Sequence, residues 1–247
     1  MKLIFEIKEN LVSIAIKNNQ DKIEYLNIQR NIEDIDFDKI FKQTLKDTIS
    51  EVILVGAKIP FCLSPIAEKA DYEGYFALKY PTNQSQKIVS TDNAKYNIKL
   101  VFIEEEILSE KIKSHFGKFR FLLDTDFYLD LQAYKNLWRV VLYDNEMLLL
   151  GFGREGEELL MANRFSTKNI DENAYFLMSS VSQKSAVHKD CIIEILGQSE
   201  KAIKIKNLIE PYFKKVEIHF KTLNFQQPQV SDQDRVFLNQ NYLLQHI

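Results

Sequence analysis

The sequence predicts a mixed α/β fold made of two copies of one unit, strand-strand-strand-helix-strand, starting near residues 3 and 137. Three observations carry this. Each half opens with three short segments whose apolar residues alternate with polar ones or run together between turn residues. Each meander is followed by a segment with apolar residues at spacings of three and four. After each helix comes a short apolar run closed by glycine, at residues 52–55 before Gly56 and at 191–196 before Gly197.

In the first half, Leu3, Phe5 and Ile7 alternate with charges, Asn10 makes a turn, and Val12, Ile14 and Ile16 alternate again. Asn18-Asn19-Gln20-Asp21 is a second turn, before Ile23, Tyr25, Leu26 and Ile28. The helix that follows is capped by Asp36 or Asp38 and presents Ile40, Phe41, Leu45, Thr48 and Ile49 on one face. Val52-Ile53-Leu54-Val55 reads as a strand buried on both faces. Residues 58–65 are extended, because Pro60 and Pro65 disfavour helix at the positions before them. A short helix over 71–79 is weakened by Gly74. Residues 87–90 and 96–103 form a hairpin around Asp92-Asn93-Ala94. Helix 104–116 has acidic residues in its first turn, the stripe Ile107, Leu108, Ile112 and Phe116, and Gly117 as its stop. A strand over 119–123 closes the half.

A helix over 127–134 precedes the second copy. Its strands cover 137–143, 147–152 and 159–165, with turns at Asp144-Asn145-Glu146 and at 153–157. Helix 170–185 is amphipathic on Ala174, Leu177, Met178 and Val181. The buried strand 191–196 follows, then helix 199–213 on Ala202, Ile205, Leu208, Ile209 and Tyr212, and a last strand over 216–220. The copies agree in element order and not in residue identity, so the repeat is structural. The expected domains are 1–124 and 125–247. The second ends in a tail, polar after Phe225 and then apolar at Val236-Phe237-Leu238 and Tyr242-Leu243-Leu244, which docks on the body or on a second copy.

Composition excludes several classes. Apolar residues are 45% and charged residues 27% of 247, the balance of an ordinary globular protein. The net charge of −3 gives no basic field for nucleic acid. Glu6, Lys8 and Glu9 break any signal-peptide core, and the greasiest run, Met147-Leu148-Leu149-Leu150, stops at Gly151, far short of a membrane span. Cys62 and Cys191 sit in separate apolar runs and read as buried free thiols, with a disulfide as the alternative. The expected location is the cytoplasm, with no membrane partner.

A three-strand meander whose helix crosses over to a parallel strand builds a mixed sheet covered by helices. Two such units resemble the plan of the actin-like ATPase (ribonuclease H-like) fold, shared by sugar kinases, heat-shock ATPases and relatives of actin. At finer grain the chain resembles an uncharacterised family of unknown function, found mainly in Bacteroidetes, with a two-domain actin-like fold. The residues carrying this are Phe61-Cys62-Leu63-Ser64-Pro65, Leu159-Leu160-Met161-Ala162-Asn163-Arg164-Phe165, Asp171-Glu172-Asn173-Ala174-Tyr175-Phe176-Leu177 and Ile193-Glu194-Ile195-Leu196-Gly197. The resemblance implies the fold and brings no activity with it.

An active member of that fold needs an Asp followed by Gly and Ser/Thr in the first hairpin of each half, so that backbone N–H groups cradle phosphate and the Asp holds hydrated Mg²⁺. The first hairpin, Ile7-Lys8-Glu9-Asn10-Leu11-Val12-Ser13, has no glycine, and side chains fill the space phosphate requires. The second, Tyr143-Asp144-Asn145-Glu146-Met147, keeps Asp144, lacks glycine, and adds Glu146, which repels phosphate. Asp144-Asn145 reads more simply as a hairpin turn. In place of a Gly-rich adenosine loop stands Leu196-Gly197-Gln198-Ser199. Gly197 lets an anion approach a helix N-terminus; the plainer reading is that Gly197 turns the chain and Ser199 caps the helix, with Glu200 in its first turn. Asp144, Gly197 and Ser199 are thus weak candidates for nucleotide contact, and neither ATP nor Mg²⁺ is expected as a cofactor.

Other constellations are weaker. His115, His188, His219 and His246 show no ligand spacing, and no metal site is expected. Asp124 and Asp126 cap the helix over 127–134 or, less simply, hold a cation. The lysines of 200–221 form a solvated face or a patch for an acidic partner or RNA. Tyr72, Tyr75, Phe76 and Tyr80 gather on a weak helix as core or as a docking surface. The function read from all this is a degenerate, non-hydrolysing actin-like scaffold with a protein partner and a homodimer left open. The alternative is a nucleotide-binding, phosphotransferase-like enzyme working in the interdomain cleft.

Overall fold

A computed structural model describes residues 1–8, 11–20, 23–29, 35–44, 49–57, 60–65, 71–81, 87–104, 106–143, 145–185, 187–197 and 199–219. They fall into two compact units, one ending at Tyr128 and the next beginning at Leu129. In the first, strands β1 (Lys2–Lys8), β2 (Leu11–Lys17) and β3 (Ile23–Gln29) form the meander, α1 (Phe37–Thr44) follows, and β4 (Glu51–Ala57) returns parallel to β1. Asp36 accepts from Lys39 N at 2.9 Å and so caps α1. The chain then makes β5 (Phe61–Pro65), α2 (Tyr72–Lys79), β6 (Lys87–Asn93), β7 (Ile98–Glu104), α3 (Glu106–Phe116) and β8 (Arg120–Leu123), and the unit closes with α4 (Asp124–Asp130), whose last residues cross the boundary.

The second unit holds β9 (Leu137–Leu142), β10 (Glu146–Phe152), β11 (Leu159–Ser166), α5 (Ile170–Lys184), β12 (Ile192–Gly197), α6 (Ser199–Ile209) and β13 (Lys215–His219). The two main sheets run β3-β2-β1-β4-β8 and β11-β10-β9-β12-β13. In both, the meander is antiparallel and the last three strands are parallel. The strand-by-strand correspondence is the doubled unit expected from the element order. A third sheet, β5-β7-β6, belongs to the first unit alone; residues 61–65, expected only as extended chain, are one of its strands.

Both central strands of each main sheet are buried on both faces, so apolar residues occupy consecutive positions. On one face of the first sheet, Leu3, Phe5, Ile14, Val52 and Leu54 pack with Phe37 and Ile40 of α1 and Leu108 and Ile112 of α3. On one face of the second, Trp138, Val140, Ile193 and Ile195 pack with Leu177 and Val181 of α5 and Ala202 and Ile205 of α6. Each fully buried Leu, Ile or Phe contributes roughly 1.5–3 kcal/mol. Gly151 makes room for Trp138, its cross-strand partner; a Cβ there would come within 2.8 Å of the indole. The indole Nε1 donates to Ser185 Oγ at 3.2 Å, fixing the ring. Asn169 caps α5 by accepting from Glu172 N, and Asn173, wholly buried, accepts from the hydroxyl of Thr167 at 3.1 Å.

The opposite faces carry buried charge. Ser13 Oγ donates to Glu6 at 3.0 Å, both residues 1% exposed. In the second unit Arg139, also 1% exposed, donates through Nε to Glu194 at 2.5 Å and through Nη2 to the Gln132 carbonyl at 2.8 Å. Its guanidinium stands 5.4 Å from the centroid of Phe152.

Besides β5, three elements differ from the sequence expectation: Ile49, expected on the face of the first helix, lies beyond α1, and two later helices have other bounds. The helix placed at 127–134 runs over Asp124–Asp130, directly from β8, so Asp124 and Asp126 lie inside its first turn and not ahead of it. Pro211, which lacks the amide hydrogen a helix interior requires, ends the helix expected at 199–213 early, and residues 210–212 tighten into a 3₁₀ turn. The tail beyond residue 219 lies outside the described residues.

Removing Glu194 strands a buried guanidinium. Glu194→Ala is expected to cost about 3–5 kcal/mol in urea unfolding, and the double variant Arg139→Met/Glu194→Leu much less. Cys62 and Cys191 are buried and not joined in a disulfide, and burial pushes both thiols up from their ordinary pKa. Ellman's reagent at pH 8 should therefore label two thiols in denaturant and label them far more slowly in the native protein. A denatured chain with no free thiol would point to the disulfide instead.

Candidate functional site

The corner of the second unit that holds the sequence candidates Gly197 and Ser199 lies where β9 and β12 end, β10 begins and α6 starts. Parallel pairing sets Gly197 opposite Leu142, the last residue of β9. Gly197 has φ +114°, and a Cβ there would sit 2.7 Å from the Leu142 carbonyl oxygen. Only glycine lets the chain turn from β12 into α6 this close to the neighbouring strand. Ser199 is the first residue of α6, one position inside the helix rather than before it. Asp144 lies outside the described residues. Gly197 and Ser199 thus share one turn, and Gly197 is accounted for by the approach of two backbones.

Side chains of this unit fasten the hairpin at that corner. Tyr143 N donates to the Glu146 carbonyl at 2.9 Å, closing the turn, and Thr167 N donates to the Asn145 carbonyl at 2.9 Å. Lys201, in the first turn of α6, reaches across and donates to the Tyr143 carbonyl at 2.9 Å. Arg164 donates to the Glu146 carboxylate at 2.7 Å, with side chains only 7% and 19% exposed, and its guanidinium stands 5.5 Å from the Tyr143 ring centroid. Glu146, read from sequence as a bare repulsive charge, is therefore neutralised. Pairing places Arg164 opposite Leu148, diagonal to Glu146 on the same face, an arrangement no local pattern reveals. The signal available was an arginine in the inward register of β11. A corner built this way spends its cations and carbonyls on itself.

The remaining candidates disperse. His115 stacks on Phe37 with centroids 5.0 Å apart and its Nδ1 lies 2.8 Å from the Lys111 carbonyl. His219 lies 3.7 Å from Glu194, and His246 is outside the described residues. Among the described residues no group of three or more His, Cys, Asp or Glu is placed to hold a metal ion. Asp126 accepts from Asn93 Nδ2 at 2.8 Å, tying α4 to β6, while Asp124 is fully buried. The basic segment is largely paired: Lys204 with Glu200 at 2.6 Å, Lys206 with Glu210 at 3.4 Å, and Lys215 with Glu217 at 2.7 Å. On α2, Phe76 is buried against Cys62 and Val101, with Tyr72 and Tyr80 packed around them, and Tyr75 and Leu78 are exposed. Burial, with Glu194 and Glu217 nearby, raises the pKa of Tyr134. Among the described residues no helix is long and apolar enough to cross a membrane.

Gly197→Ala should lower stability by about 1–3 kcal/mol, measured as a shift in the denaturation midpoint. A variant as stable as the parent would show that this turn tolerates a side chain.

No curated protein matches the chain by sequence. Among solved structures, a Bacteroides thetaiotaomicron VPI-5482 protein with actin-like ATPase fold and unknown function aligns with a TM-score of 0.70 at 14% identity, over 88% of this chain and 90% of that one. The PilM–PilN type IV pilus biogenesis complex contains a chain that aligns at 0.52 and 10% identity, over 99% and 96%. The fold is therefore the actin-like ATPase fold, as the doubled element order implies. Residues 1–216 match the family described as protein of unknown function (DUF3822), and the chain belongs to that family.

Proposed function

We propose that this chain is a degenerate actin-like protein that neither binds ATP tightly nor hydrolyses it, and that works in the cytoplasm as an interaction or scaffold module for a protein partner. The observation carrying the reading is the fastened hairpin of the second unit. Arg164 and Lys201, two cations of that corner, hold Glu146 and the Tyr143 carbonyl. The first hairpin supports it from sequence, since residues 7–13 contain no glycine through which phosphate could meet backbone amides. Its turn, residues 9 and 10, lies outside the described residues. Assembly is a use to which this fold is put elsewhere, as the PilM–PilN pilus complex illustrates.

A thermal-shift series with ATP, ADP and GTP, each with and without Mg²⁺, tests the nucleotide half. A ligand at 100 times its Kd adds about 2.7 kcal/mol, which moves a domain's Tm by several degrees. The expected shift at 1 mM nucleotide is nil, with no phosphate released. A shift of several degrees that Arg164→Ala or Lys201→Ala enlarges would overturn the proposal and favour a nucleotide-binding phosphotransferase.

A further inference from the structure

The sheet of the second unit ends at β11, and among the described residues no strand pairs with its outer side. Such an edge offers backbone groups to another chain, and proteins usually guard it with outward charge, proline or shortness. The opposite edge of the same sheet is guarded: β13 is five residues long and carries Lys215, Glu217 and His219. β11 is eight residues long, about 27 Å at ~3.4 Å per residue, with neither proline nor glycine. Its one charge, Arg164, is turned onto Glu146. Tyr175 of α5, 66% exposed, continues the uncharged surface beside it. Its ring meets Phe176 edge-on, and Phe176 stacks on Phe165 of β11 with centroids 4.7 Å apart.

One bond fixes which backbone groups face outward. Thr167, the next residue along, donates its N–H to the Asn145 carbonyl at the head of β10. Backbone direction alternates along an antiparallel strand, so Phe165, Asn163 and Met161 also bond toward β10. Leu160, Ala162 and Ser166 therefore present their N–H and C=O at the outer edge. Met161 and Phe165 pack against the helix-covered core, and Asn163 stands between them on the same face.

We infer that β11 is a self-association edge, which pairs antiparallel with the β11 of a second copy and joins two five-stranded sheets into one. The strand is self-complementary about Asn163. A two-fold axis there sets Asn163 against its own copy and Met161 against Phe165, with Leu160 against Ser166 and Ala162 against Arg164. Asn163, Met161 and Phe165 take the closely spaced positions between the new hydrogen-bonded pairs. There the two amides bond each other, and each thioether meets a ring. On the other face Arg164 meets only Ala162, so no like charges oppose. Two edges of this length bury less than the ~1,200 Å² of a standard interface, and the dimer is weak, with a Kd of about 10–100 µM. It needs neither nucleotide nor another protein, so it holds or fails apart from the function proposed above.

Sedimentation equilibrium of the full chain alone, from about 5 to about 500 µM, tests it. The weight-average mass should climb from 29.0 kDa toward twice that. Asn163→Lys and Asn163→Asp should each weaken association about tenfold or more, by setting like charge against like, and an equimolar mixture of the two should restore it. Asn163→Cys, too mild a change to threaten the fold, should give disulfide-linked dimers on oxidation at least about fivefold faster than Ser166→Cys, whose copy lies about 20 Å away in this register. Four results overturn the inference: a mass that stays at 29.0 kDa throughout, association that Asn163→Lys leaves unchanged, a mixture of the two folded charge variants that stays monomeric, or equal oxidation of the two cysteine variants.

Discussion

The pairing of Arg139 with Glu194 decides how the second sheet is assembled. Strands buried on both faces carry apolar residues at nearly every position, so alternation cannot tell one face or one register from another. Val140, Val141 and Leu142 would fill a core equally well if β9 slid by a residue against β12. A buried guanidinium and a half-buried carboxylate do not slide so cheaply, because an offset leaves the guanidinium without its counter-charge in a low-dielectric interior. Placed opposite one another on parallel β9 and β12, they select a single alignment. Glu6 and Ser13 hold the same kind of position in the first sheet, across an antiparallel pair.

Much of the fold was legible because its punctuation is local. Asp36 starts α1 through its side chain and Gly117 stops α3 at a positive φ, and both boundaries they announce are present. The helix after Leu123 was misplaced for a physical reason: Asp124 and Asp126 look like caps, but a helix can carry acidic residues inside its first turn just as comfortably. Of the third sheet only the β6–β7 hairpin was legible, since Pro60 and Pro65 advertise extended chain without naming a strand to pair with. Its pairing of Phe61 with Phe102 joins residues far apart in sequence.

The candidate site was legible to a smaller degree. Gly197 stood out, and its positive φ and its nearness to Leu142 explain it. What surrounds the hairpin did not stand out, because Arg164 and Lys201 arrive from other elements and meet Glu146 and Tyr143 only after the sheet has formed. Missing glycines are visible in a sequence; the contacts of Arg164 with Glu146 and of Lys201 with the Tyr143 carbonyl are a tertiary fact.

The third sheet also separates the histories of the two units. Between β4 and β8 the first unit inserts β5, α2, β6, β7 and α3, so Ile53 must wait for Arg120 before its edge is paired. The second unit has no such insertion, and Ile192 finds Lys215 after a single helix. Closing long loops before any contact rewards them slows folding. On a ribosome, where the amino-terminal half emerges first, the half that appears earlier is the one built to finish later, and its β4 edge stays open for pairing while the insertion is still being made.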